Sequence, residues 1–314
     1  MKKAGIAHRS DAIDGAEKQS TLGPSVGDLS GDTPGVPIMP TQHAVYISDA
    51  VEFLKTVPDS SIDLVLIDPP YNLDLAVWDT YENYLHWARN WLDEIHRILT
   101  KQGNCVIFGG FQFQDLKKGD LLEILHYTRH HTPLRFVNLI IWHYRNGMSA
   151  HRFFANRHEE AVWLSKTDSY YFDLDAVRVP YEKMAKKAAL RDKRLVPENI
   201  EKGKNPTNVW TIPRLSANSK ERTGHPTQKP SELIRRFVRA LSREGDTVLD
   251  FFAGSGTCGG VCIEEGRHSV QVDTDVKLIE RFEMHRKRIN SETEAGIHLS
   301  PDINEFLKTT RSPG

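Results

Sequence analysis

Residues 247–273 carry the feature that most restricts what this chain can fold into. Thr247-Val248-Leu249-Asp250-Phe251-Phe252 is a short, mostly apolar run, which reads as a buried strand. It enters Ala253-Gly254-Ser255-Gly256-Thr257, a glycine turn that lets a ligand approach the backbone. A short apolar helix follows and ends at Gly266. Ser269-Val270-Gln271-Val272-Asp273 is then a second strand with an acid at its tip, a position that commonly accepts hydrogen bonds from ribose hydroxyls. This βαβ unit demands a parallel sheet with helices on its faces. Turn and acid together suit a dinucleotide or S-adenosylmethionine about equally, and the bland alternative is an ordinary βαβ turn with no ligand.

A second strand signal lies far upstream. Ile62-Asp63-Leu64-Val65-Leu66-Ile67 is apolar but for one charge near its start, and it stops at Asp68-Pro69-Pro70-Tyr71. The prolines cannot continue a ladder, so the chain leaves at the carboxyl end of the strand. Open α/β sheets place ligands at that end. A carboxylate, a proline carbonyl and an aromatic ring are thus presented together. An exocyclic amine on a nucleobase is a poor nucleophile because its lone pair is delocalised into the ring. Asp68 and the Pro69 carbonyl can each accept one of its N–H bonds and so free the lone pair. Tyr71 can stack on a base swung out of a duplex. The bland alternative is a strand, a Pro-Pro turn and a surface aspartate.

Three motifs in order carry a resemblance: Asp-Pro-Pro-Tyr at 68–71, His-Pro-Thr-Gln-Lys-Pro at 225–230 and Asp-Phe-Phe-Ala-Gly-Ser-Gly-Thr at 250–257. Phe-Gly-Gly at 108–110, the run through Arg152-Phe153-Phe154 to Glu160, and the tract at 205–210 fit as well. From about His43 to about Ile289 the chain resembles the amino-methylating DNA methyltransferases. More narrowly it resembles the β-class N6-adenine enzymes of restriction-modification systems, the RsrI-type enzymes among them, in which the catalytic motif precedes the cofactor motif.

The resemblance implies an α/β fold, a doubly wound, mostly parallel, seven-stranded sheet of the Rossmann-like methyltransferase kind with an inserted target-recognition region. It implies S-adenosyl-L-methionine as cofactor, no metal, and direct transfer to an adenine held by Asp68, Pro69, Pro70 and Tyr71. Cofactor contacts would come from Asp49, Asp68, Pro226, Thr227, Lys229, Asp250, Phe251, Phe252, Gly254, Ser255, Gly256, Thr257 and Asp273. Lys229 and the Thr227 hydroxyl suit the methionine carboxylate. Phe153 or Phe154 would face the target base opposite Tyr71, or form a buried pair under a loop. Double-stranded DNA would be the partner, with a restriction endonuclease acting separately on the same site. Family members often dimerise, and overall similarity points to adenine in GAATTC-like palindromes.

Rival readings remain. N4-cytosine methylation uses the same fold, though such enzymes more often carry Ser where Asp68 stands. RNA or protein-glutamine methylation is a weaker rival, the latter usually with Asn there. A nicotinamide-dependent dehydrogenase would own the glycine turn but leave Asp-Pro-Pro-Tyr unexplained. A non-catalytic DNA-binding protein would lack cofactor-dependent activity.

Charge enters through its distribution. The formal net charge is −1, which announces no nucleic-acid binder. Residues 178–229, however, hold 13 Lys and Arg against 5 Asp and Glu, the footprint of a phosphate-contacting face or of a solvated basic loop. Arg178, Arg191, Lys193, Arg194, Arg214 and Arg222 are candidates for base or phosphate. The three cysteines, Cys105, Cys258 and Cys262, form no CxxC pair, which argues against a disulfide framework or zinc site. Cys258 and Cys262, four apart on a helix, read as core. No apolar run approaches a membrane span and no signal peptide is evident, so the expected location is the cytoplasm.

In chain order, 1–42 is polar and aperiodic and is expected to be a disordered arm. The catalytic half spans 43–165, with strands near 44–48, 62–67, 105–108, 137–142 and 161–164. Asp49 reads as a helix N-cap, a cofactor ligand, or both. Residues 80–99 read as an amphipathic helix with Tyr84, Ala88, Trp91, Leu92, Ile95 and Leu99 inward. Target recognition is expected over 166–223, with a charged helix near 183–194. The cofactor half spans 224–290, opening on a helix at 231–241, and 291–314 is expected to be a tail. The first-described strand should sit between the Asp-Pro-Pro-Tyr strand and the Asp273 strand.

Overall fold

A computed structural model describes residues 40–72, 80–110, 121–147, 151–152, 154–289 and 295–310. The elements in order are β1 (Thr41–Ile47), α1 (Ala50–Leu54), β2 (Ile62–Ile67), α2 (Tyr84–Ile98), β3 (Leu99–Gly109), α3 (Leu121–His131), β4 (Arg135–His143) and β5 (His158–Ser165). Then follow α4 (Lys183–Ala189), α5 (Pro197–Lys202), β6 (Val209–Thr211), α6 (Ser231–Leu241), β7 (Thr247–Asp250), α7 (Thr257–Glu264), β8 (His268–Asp273), α8 (Lys277–Arg288), β9 (Ala295–Leu299) and α9 (Ile303–Thr310).

The strands form one sheet in the order β6-β4-β5-β3-β2-β7-β8-β1-β9. β7 lies between β2 and β8, as expected. The sheet departs from expectation in two ways. It has nine strands rather than seven, because β6 joins one edge beside β4 and β9 the other beside β1. It is also mixed, since β5 runs antiparallel to both β3 and β4 while the other pairings are parallel. β6 has three residues with only Trp210 buried, and β9 is nowhere fully buried. Such short, half-exposed edges give no periodic signal.

Alternation along β2 shows how the layers close. Leu64 and Leu66 enter a core with α6 and α7, whereas Val65 and Ile67 enter a core with α1, α2, α3 and α9. A strand buried on both faces needs this continuous apolar run. Its one charge has a place: Asp63 accepts the Thr247 N–H and the Thr100 hydroxyl, each at 3.0 Å, pinning β2 between β7 and β3.

Among the helices, α2 starts at an Asn83 cap and its buried stripe ends at Ile98. Leu99, expected on that stripe, instead opens β3. The charged helix α4 stops at Ala189 and buries no residue. Cys258 and Cys262 are buried on α7. Residues 295–310 form β9 and α9, with Phe306 and Leu307 in the core. The N-terminal arm lies outside the described residues up to 39, while Thr41 and Gln42 belong to β1. Among the described residues no helix is long and apolar enough to cross a membrane.

Asn104 is the polar hub of the sheet. Fully buried, it donates to the carbonyls of Tyr171 (2.8 Å) and Leu241 (3.1 Å) and accepts the Trp163 indole N–H (2.9 Å). Asn104→Leu leaves two buried polar groups and one half-buried carbonyl without this partner. We expect it to lower unfolding stability by roughly 3–5 kcal/mol, measured by denaturant titration.

Candidate active site

The chain reverses its direction of winding between β2 and β7, since β2 crosses by α2 to β3 and β7 by α7 to β8. A cleft of about 190 Å³ opens there, where open α/β sheets bind ligands. Of the expected residues, Asp49, Asp68, Pro69, Pro70, Tyr71, Thr227, Lys229, Asp250, Phe251, Phe252, Gly254, Ser255, Thr257 and Asp273 line it. Pro226 and Gly256 do not. Asp49 does double duty: it lines the cleft and caps α1, one oxygen accepting the Val51 and Glu52 N–H groups at 2.8 and 3.1 Å.

At the mouth of β2 a small ionic network forms. The Tyr71 hydroxyl donates to Asp68 Oδ1 at 2.7 Å. The Lys229 ammonium donates to Asp68 Oδ2 at 2.7 Å and to the Tyr71 oxygen at 3.2 Å, and stands 3.4 Å from Glu159 Oε2. Burial disfavours that ammonium, but the Asp68 and Glu159 carboxylates outweigh burial and raise its pKa above the ordinary lysine value. Burial, then the same two carboxylates, push the Tyr71 phenol well up. Lys229, expected on the cofactor's carboxylate, is therefore committed to Asp68 and Glu159 in this structure.

The glycine turn forms the opposite wall. Gly254 (φ +41°) donates its N–H to Asp273 Oδ2 at 2.8 Å, and Asp275 donates to Oδ1 at 2.9 Å. Asp250 accepts the Phe252 N–H at 3.1 Å. Burial pushes the Asp250 carboxyl well above the usual range; that N–H opposes the shift, and Asp68 and Asp273 add to it. Gly256 has φ +72° and caps α7, and a Cβ there would lie 3.2 Å from the Phe282 backbone on α8. Its part is close packing of turn on helix. We expect Gly256→Ala to cost about 1–2 kcal/mol in stability and to weaken cofactor binding about tenfold, by denaturation and calorimetry.

The 225–230 loop seats on this turn. The His225 ring covers Gly254, where an added Cβ would meet it at 3.0 Å, and His225 Nδ1 lies 3.3 Å from the Thr227 hydroxyl. Burial, helped by Arg281, lowers the His225 pKa against three nearby carboxylates. Thr223 ties the same loop to the turn by donating to the Ser255 carbonyl at 3.2 Å.

Three features of the site escape sequence reasoning. Tyr81 and Trp87 stack at 4.1 Å and line the cleft; Trp87 borders the buried stripe of α2 and packs against the core, so its spacing does not distinguish it from a core residue. Glu159 is absent from the expected set although it begins a Glu-Glu doublet on a strand, where alternation sends the two carboxylates to opposite faces. His225 is signalled only as part of its motif.

The expected DNA-contacting residues divide. Arg178 is spent internally, on Asp175 (2.7 Å), the Gly203 carbonyl (3.0 Å) and Asn205 (2.8 Å). Arg222 holds the carbonyls of Ser216 and Leu215 at 2.9 and 3.1 Å. Both organise loops, because bent segments without a ladder need donors for their carbonyls. Arg214 lies over the Tyr144 ring at 5.0 Å, and Arg194 pairs with Asp192 at 2.7 Å at the surface. Arg191 and Lys193 are exposed. Phe154 is 98% exposed rather than part of a buried pair; Phe153, like the loop at 73–79 with Trp78, lies outside the described residues.

A DNA methylase family profile covering enzymes of the N6 and N4 type matches residues 62–284. The chain belongs to this DNA methylase family. Type II methyltransferase M.HpaI of Haemophilus parainfluenzae is 34% identical to the methylase over 251 residues, 78% of this chain and 73% of that protein. DNA adenine methyltransferase YhdJ of Escherichia coli K12 is 31% identical over 242 residues, 74% of this chain and 78% of its own. Among solved structures, the cytosine-N4-specific PvuII DNA methyltransferase shares the methylase fold with a TM-score of 0.61 at 18% identity, covering 86% of this chain and 94% of that one. A DNA modification methylase of Thermus thermophilus, TTHA0409, solved with S-adenosyl-L-methionine, gives 0.57 at 24% identity, covering 82% and 99%.

The methylase draws its methyl group from S-adenosyl-L-methionine. The cleft fits that molecule chemically. Asp273 at the tip of β8 keeps lone pairs on both oxygens for ribose hydroxyls after accepting the Gly254 and Asp275 N–H groups. Phe252 and the Tyr81–Trp87 stack supply flat apolar faces for an adenine.

Proposed function

We propose that this methylase modifies the N6 amine of an adenine flipped out of double-stranded DNA, as the modification partner of a Type II restriction system. The carrying observation is Asp68, a carboxylate lining the cleft beside Pro69 and held by both Tyr71 and Lys229. YhdJ, named as an adenine enzyme, and M.HpaI, named as Type II, support the reading. Motif order, with Asp-Pro-Pro-Tyr ahead of the glycine turn, is that of the β class.

When bound, S-adenosyl-L-methionine supplies an electrophilic methyl on its sulfonium. The chain's own task is to present the amine. Asp68 retains lone pairs after accepting Tyr71 and Lys229, and with the Pro69 carbonyl it accepts the two amine N–H bonds. That arrangement localises the nitrogen lone pair and gives the departing proton an acceptor in Asp68. The Tyr71 ring, pinned through its hydroxyl, faces the base. Phe154, exposed within the 144–160 segment, is the second aromatic. Orientation and a fixed charge in a half-closed cleft contribute most of the rate. Exposed Arg191, Lys193 and Arg194 contact DNA phosphate or bases, and the enzyme works as a dimer with a separate endonuclease of the same specificity.

The test is incubation with plasmid DNA and methyl-labelled cofactor, followed by digestion to nucleosides. Label in N6-methyldeoxyadenosine is expected. Label in N4-methyldeoxycytidine would overturn the base assignment and keep the chemistry, and no label in DNA would overturn the reading.

A further inference from the structure

We infer that Glu159 is a positioning residue of the transfer reaction: from outside the cleft it shares Lys229 with Asp68, and so keeps Asp68 an electron-rich acceptor for the amine. This rests on the DNA amine-methylation reading above.

Geometry separates Glu159 from its neighbours. It pairs opposite Trp142 in the β4–β5 ladder. His158 and Glu160, on either side, point to the other face, where His158 Nε2 meets Glu160 Oε1 at 3.0 Å. Glu159 alone of the three is turned to Lys229. It is not part of the cleft wall, and its contact with the site is the Lys229 ammonium, through which it acts.

Lys229 is 8% exposed and has three donors and no acceptor. Its neighbours are Asp68, the Tyr71 oxygen and Glu159, so one cation serves two carboxylates and the group carries a net negative charge. Without Glu159, Lys229 and Asp68 would close into a neutral pair. In so buried a place the ammonium's field is poorly screened. It would fall wholly on Asp68 and weaken it as acceptor of the amine hydrogens and of the departing proton.

The surrounding titratable and charged groups are Tyr71, Tyr84 on α2, Tyr144 after β4, the His158–Glu160 pair on β5, Asp250 on β7, Asp273 and Asp275 at the end of β8, Arg281 on α8 and His225 before α6. Arg214 lies over Tyr144. A Glu159 substitution leaves all of them in place, so a change in pH dependence reports the one lost charge.

The experiment compares wild type, Glu159→Gln and Glu159→Asp. For the glutamine variant we expect kcat roughly ten- to a hundred-fold lower, with KM for DNA and cofactor within about threefold. The site has lost a negative charge, so its remaining groups hold protons less tightly and both limbs of the kcat–pH profile move to lower pH. Glu159→Asp restores part of kcat. Independently of activity, NMR titration of the Lys229 side chain should show it losing its proton at lower pH in Glu159→Gln than in wild type. Unchanged kcat, or a loss of kcat with unshifted limbs and an unshifted Lys229 titration, would overturn the inference. Should the glutamine variant fail to fold, Glu159→Asp is read on the same axes. A wild type that methylates no DNA defeats the functional reading, and the Lys229 titration still decides whether Glu159 governs the ammonium.

Discussion

Asp68→Ala is expected to lower methyl transfer to DNA by about a thousandfold or more while leaving cofactor affinity within a few-fold. In the proposed mechanism the carboxylate has two tasks in one place. It accepts an amine N–H, which localises the lone pair, and it takes up the proton that the amine sheds. General-base and electrostatic contributions of this kind are each worth roughly a hundred- to a thousandfold. Alanine removes both and also releases Tyr71 and Lys229 from their 2.7 Å contacts, so the Tyr71 ring loses its anchor. Cofactor binding should persist, because the glycine turn is held by Asp273 and His225. Single-turnover labelling and calorimetry on the same preparation check both halves. Activity within tenfold of wild type would remove Asp68 from the chemistry. Lost cofactor binding would mean that Asp68 supports the cleft and not the amine.

What could be read in the sequence follows from how local each signal is. The seven strands expected are all present because each is a run of apolar residues ended by a turn. Their central order, β2-β7-β8, followed from one βαβ unit and one pair of prolines. β6 and β9 are short edges whose stability comes from partners distant in sequence. The site divides in the same way. Asp68, Asp273 and the glycine turn are carried by contiguous motifs, and all but Gly256 of the turn line one cleft. Glu159 and Lys229 meet across 70 positions of chain, and nothing near either residue encodes the meeting. The basic stretch at 178–229 misled for a related reason. Charge counting treats every arginine as free, yet Arg178 is taken up by Asp175, Asn205 and the Gly203 carbonyl, and Arg222 by carbonyls of its own loop.

Lys229→Met offers the sharpest test of the ionic network, because it reads stability as well as activity. Methionine matches the length and apolar stem of lysine but leaves Asp68 and Glu159 facing one another without a cation. Breaking a buried pair costs about 3–5 kcal/mol. The Asp68 and Glu159 side chains keep 24% and 14% of their exposure, so water relieves part of this, and a loss of roughly 2–3 kcal/mol at neutral pH is expected. The pH dependence has a definite sign. Neighbouring carboxylates raise the Lys229 pKa in the folded protein above 10.5. Its contribution is therefore complete below that value and fades only as pH rises through the folded pKa. The wild-type advantage over Lys229→Met should thus be flat from neutrality towards pH 10. It should shrink in acid, where protonation of either carboxylate removes the repulsion in the variant. Methyl transfer should fall by about a hundredfold at neutral pH, since Asp68 and Tyr71 lose a shared donor. Equal stability of variant and wild type across the whole range would show that the ammonium contributes no net stabilisation. Loss of stability with full activity would make the network a structural device alone.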